Sequence, residues 1–164
     1  MKQFFWTTGL LIVQILVLNH VHVNGYGTPF VCIFPILLFP LESSRWKILF
    51  LGFIIGIIED IFINTPGVST ATFTALAMIQ PNLLKSVMPH DEDDKNLPPS
   101  ARNIGWGNYI KYLFTACLII SLVFFALETF SFFNYTKYLI SVFSTCFITF
   151  LFLLSIEKVR NAPT

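Results

Sequence analysis

Apolar residues in this chain come in long unbroken runs, and that feature constrains its fold more than any other. A helix at the surface of a soluble domain shows an apolar stripe and a polar face, repeating every 3.6 residues. These runs are apolar on all faces. A membrane crossing needs roughly 20 such residues at about 1.5 Å each. Six blocks approach or meet that length: 4–23, 29–41, 46–63, 66–88, 109–130 and 138–156. The second is short and carries Pro35 and Pro40. The fourth is clean to Ile79 and continues through a kink at Pro81. Composition points the same way. Of 164 residues, 55% are hydrophobic and 12% charged, where a soluble domain carries about a quarter charged. Mean hydropathy is +0.72. Disorder, a secreted disulfide scaffold and an ordinary soluble enzyme are excluded. The expectation is an all-α membrane protein, six transmembrane helices in a single bundle, with 1–164 as one domain.

Charge then predicts an orientation. With the N-terminus in the cytoplasm, that side receives Lys2, Arg45, Lys47, Lys85, Lys95, Arg102, Lys111, Lys158 and Arg160. The outside receives only Lys137. Basic residues gather on the cytoplasmic side of membrane proteins, so both termini are expected there. Trp6, Trp46 and Trp106 fall near the same interface, where indoles prefer to sit. The first block has a basic start at Lys2 but no small-residue cleavage site, so it reads as a span and not a signal peptide. The long connection at 89–108, PHDEDDKNLPPSARNIGWGN, reads as a solvated cytoplasmic loop. Its acidic run lacks the glycine and spacing of a calcium loop.

Several activities find no support. Net charge is +1, which gives no basic surface for nucleic acid. Cys32, Cys117 and Cys146 are far apart inside apolar blocks and form no zinc or redox pair. No G-x-S-x-G, H-E-x-x-H or phosphate-binding loop occurs. Neither a catalytic residue nor a metal nor a cofactor is predicted, and the chain does not read as an enzyme.

The polar residues inside the blocks are the functional candidates. An Asp at a helix centre costs roughly 2.5–3.5 kcal/mol to insert. Glu59 and Asp60 lie in the third block, with Asp60 roughly 21 Å along it from Trp46. Gly52, Gly56 and Asp60 share one face, and Gly52-x-x-x-Gly56 is a close-packing signal. Ala71 and Ala75 offer a small-residue face on the fourth block to meet it. Thr65 and Pro66 read as the N-cap and first turn of that helix, whose positive dipole end favours a carboxylate. Asn64-Thr65-Pro66-Gly67 then reads as a tight turn. Other polar groups collect at the same outer side: His20 and His22 end the first block, and Glu128 ends the fifth. Spaced i, i+2, the two histidines lie on different helix faces and make a poor metal pair. Ser141, Thr145 and Thr149 form a hydroxyl stripe on the sixth block, as helix packing uses.

The stretch from Gly52 to Gly67, GFIIGIIEDIFINTPG, resembles the signature of MreD, the bacterial rod shape-determining membrane family, in its Bacteroidota-type form. The matching features are the glycine-bearing helix, Asp60, Phe62 and Gly67, with ALETFSF at the end of the fifth block. Glu59 departs from the apolar residue expected beside the family's aspartate. The resemblance implies a non-catalytic scaffold or regulator of cell-wall elongation and peptidoglycan synthesis in the inner membrane. It implies an MreC-like partner, the RodA and class B penicillin-binding protein complex, and MreB through the cytoplasmic loops. Glu59, Asp60, the Asn64–Gly67 turn, Glu128, His20 and His22 would form the docking cluster. The family's fold is similar to the S-components of energy-coupling-factor transporters. The alternative is therefore a substrate-binding component of a vitamin transporter, with the outer cluster as its pocket.

Overall fold

The computed structural model describes residues 29–88, 98–128 and 135–160, and position 9 apart from these. Apart from that position, the first block, with both of its histidines, lies outside the described residues. A 3-10 turn, Val31–Ile33, runs into α1, Phe34–Leu37. There follow α2, Arg45–Ile63; α3, Val68–Val87; the short α4, Ala101–Ile104; α5, Trp106–Glu128; and α6, Tyr135–Arg160. No strand occurs among the described residues. α2 packs on α3, α3 on α5 and α5 on α6. Helices α5 and α6 are each long and apolar enough to cross a membrane.

The second block departs most from its sequence reading. Its helical part is seven residues, about 12 Å of rise, against roughly 30 Å of hydrocarbon. It is not a peripheral helix, because every residue from Phe30 to Leu37 is buried among the longer helices. The ring of Phe30 meets Phe73 of α3 and Phe124 of α5 at centroid distances of 5.8 and 4.6 Å. Pro35 sits in the first turn of α1, where its missing N–H is tolerated.

A short helix leaves backbone groups open, and in an apolar interior each must find a partner. Side chains of three helices supply them. The Phe30 N–H donates to Thr149 Oγ1 at 3.1 Å. Gln80 Nε2 donates to the Phe39 carbonyl and to Tyr112 Oη, both at 3.1 Å. The Tyr112 hydroxyl donates to the Leu37 carbonyl at 3.1 Å. Thr145 and Thr149 of the predicted hydroxyl stripe are buried, and Thr149 has this specific task.

α3 runs through Pro81 to Val87. One further boundary moved. Within the predicted 89–108 loop the 98–104 segment is packed and not solvated: Ala101 and Ile104 of α4 are buried, and Ser100 caps it through the Asn103 N–H, whereas 105–108 are exposed. Residues 89–97 lie outside the description. Large apolar side chains also face outward along the long helices, among them Phe50, Met78, Phe143 and Phe147, each more than 60% exposed.

Candidate functional site

The site is the end of the α2–α3 hairpin, and Asp60 organises it. Asn64 adopts the left-handed conformation, φ 59°, that ends helices. The N–H groups of Asn64 and Thr65 both fold back onto the Asp60 carbonyl, the latter at 3.3 Å. The backbone of Asp60 therefore closes α2. Its side chain opens α3. Oδ1 accepts the Ser69 N–H at 2.8 Å and the Thr65 hydroxyl at 3.3 Å. Oδ2 accepts the Gly67 and Thr70 N–H groups at 3.0 Å each, and the Thr70 hydroxyl at 2.6 Å.

A helix begins with backbone donors that lack intrahelical partners. Here Gly67, Ser69 and Thr70 give theirs to Asp60, and Val68 gives its own to the Thr65 carbonyl at 3.2 Å. The carboxylate sits at the positive end of the α3 dipole, and these charge-assisted bonds offset its desolvation.

This geometry corrects the predicted cap. Thr65 and Pro66 do not start α3. The N-cap is Gly67, at φ 88°, and the helix begins at Val68. The reason is that the cap comes from the preceding helix. Gly67 has no side chain to offer, and its left-handed backbone turns its N–H toward Asp60.

The packing face is also corrected in part. Gly52, Gly56 and Asp60 do share the buried face of α2. Their neighbours on α3 are Ser69, Thr70, Phe73 and Ala77. A methyl group on Gly52 would lie 2.9 Å from the Phe73 carbonyl oxygen, and one on Gly56 would overlap the Thr70 backbone. Ala71 is exposed and Ala75 half-buried, so the predicted alanine pair does not make this contact. Asp60 sets the rotation of α3 by drawing Ser69 and Thr70 toward α2, which carries Ala71 outward.

The two adjacent acids serve different neighbours. Glu59 is fully buried and turns inward, with Cys32 beside it. Asp60 faces the turn. Glu128 ends α5 on the surface, and no hydrogen bond among the described residues joins it to Asp60. The outer cluster therefore reduces to Asp60 and the Asn64–Gly67 turn, with His20 and His22 outside the description.

Beside the turn lies a shallow open groove of about 390 Å³, lined by Ile57, Asp60, Ile61, Asn64, Pro66, Gly67 and Thr70. Its walls are largely apolar, with Ile61 70% exposed. No group of three or more His, Cys, Asp or Glu that could hold a metal occurs among the described residues. Sequence reasoning missed Gln80, Tyr112 and Glu157, all of them buried. Gln80 was detectable as a lone amide before a proline inside an apolar run. Glu157 falls one residue beyond the last apolar block, 138–156.

The fold and site define a helical protein with an aspartate-capped hairpin end and two helices fit to cross a membrane. Comparison with protein-family models, curated proteins and solved structures gives no match.

Proposed function

We propose that this chain is a non-catalytic, multi-pass scaffold of the bacterial inner membrane. In this reading it serves cell-wall elongation and rod shape, with an MreC-like protein and the RodA–penicillin-binding protein complex as partners. The family part of the proposal rests on the GFIIGIIEDIFINTPG stretch. The observation that carries the scaffold role is the saturation of Asp60. A general base must have a lone pair free for substrate, and this carboxylate accepts five bonds that hold a hairpin together. What remains for contact is the groove beside it, open and apolar, as a protein-docking surface is. The outward-facing phenylalanines suit lipid, since soluble monomers rarely expose apolar surface on this scale.

The six-span topology with both termini cytoplasmic belongs to the same proposal. Its support is the distribution of Lys and Arg.

Co-purification from gently solubilised membranes, followed by mass spectrometry, tests the function. The wild-type chain is expected to bring the MreC-like protein and wall-synthesis enzymes. Ile61→Glu, which places a charge on the groove wall without touching the Asp60 cap, is expected to lose them while accumulating normally. A preparation that brings none of these proteins but carries a bound vitamin replaces the scaffold reading with the transporter one.

A further inference from the structure

The end of the bundle away from the hairpin turn carries a polar cluster that plays no part in the proposed function. Glu157 is 0% exposed, near the end of α6. Its Oε1 accepts the Ala101 N–H at 2.9 Å and Arg160 Nη2 at 3.0 Å. Arg160 Nη2 also donates to the Pro99 carbonyl at 3.1 Å. The same guanidinium lies 5.7 Å from the centroid of the Phe34 ring, at the start of α1. Tyr109 of α5 stands beside the Glu157 carboxylate.

One helical turn of α6 therefore holds two otherwise separate pieces of chain. The first is the 98–104 segment, which leads from the long loop into α5. The second is the buried core segment that begins at Phe30. A buried carboxylate such as Glu157 is retained only where bonds offset its desolvation, and removing the partly exposed Arg160 would strand it. The planar guanidinium suits this double task, since it can bond in its plane and stack on a ring with its face.

We infer that Glu157 and Arg160 form a latch that couples the position of the 98–104 segment to that of α1. Moving the segment withdraws the Pro99 carbonyl and the Ala101 N–H from the pair. Arg160 then keeps its bond to Glu157 but loses the Pro99 carbonyl, the second acceptor that fixes it over Phe34. A change at the end predicted to be cytoplasmic thereby reaches the centre of the bundle. The latch is independent of the partner assignment above.

Hydrogen exchange of the full chain in lipid nanodiscs tests it, with Arg160→Gln as the main variant. Exchange is expected to accelerate by at least about tenfold in both the 98–104 and the 30–39 peptides, as loss of a charge-assisted bond brings. The α2–α3 hairpin should keep its wild-type protection. Arg160→Lys, which keeps the charge but not the planar fork, should give a smaller acceleration in the same two peptides. Acceleration confined to 98–104 would show a local cap and overturn the coupling. No acceleration in either peptide overturns the latch itself. Loss of hairpin protection in both variants also overturns it, since the pair would then hold the whole fold.

Discussion

Three backbone N–H groups converge on the two oxygens of Asp60, and none of them can accept a hydrogen bond. An amide in its place must therefore turn its NH₂ toward a donor. Asp60→Asn, though matched in size, is expected to cost about 1–3 kcal/mol, the penalty for leaving buried donors unpaired. Thermal melting in detergent checks this, and an unchanged midpoint rejects the cap. Gly56→Ala is expected to destabilise by about 1–3 kcal/mol, because its methyl group meets backbone and not a yielding side chain. Gly107→Ala is the control: it stands in helix α5 with open space around it, so it should be neutral or slightly stabilising. The importance of Gly52, Gly56 and Asp60 was legible from spacing alone, because i, i+4, i+8 fixes a helix face. The identity of their neighbours was not. Spacing within α3 says which of its residues share a face, but not which face turns toward α2.

At the scale of elements, the hairpin and the core segment are built by opposite means. The hairpin is held by close backbone approach and one carboxylate. The segment from Phe30 to Phe39 is held by side chains reaching its open backbone groups. Tyr112→Phe removes the hydroxyl that serves both Gln80 and the Leu37 carbonyl, and should cost about 1–3 kcal/mol in a detergent melt. A wild-type midpoint would mean that the carbonyl has another partner. Apolar runs reveal helices that are long enough to declare themselves. They do not separate a short span from a short buried helix, because both are apolar throughout. Only the neighbours of 29–41 distinguish the two, and those come from α3, α5 and α6.

For the whole molecule, the expected topology has both termini on the side that carries most Lys and Arg. An impermeant maleimide applied outside should label Asn24→Cys and Asn134→Cys and leave Asn96→Cys untouched. The natural background is low, since Cys32, Cys117 and Cys146 are all buried. Labelling of position 96 from outside would reverse the orientation or change the number of spans. The exposed phenylalanines make a second demand: the chain should remain in the membrane pellet after alkaline carbonate washing.

The sequence by itself determined that the chain is helical, that its helices are apolar on all sides, and that Asp60 lies where a carboxylate needs protection. These follow from hydropathy, helical periodicity and the cost of burying charge, all properties of single residues or of near neighbours in the chain. Tertiary structure decided what protects Asp60, which face of α3 meets the glycines, and that Gln80, Tyr112 and Glu157 turn inward. Each of these depends on the rotation and depth of one helix against another. That choice is made by contacts between residues such as Phe30 and Thr149, 119 positions apart, and no local pattern encodes it.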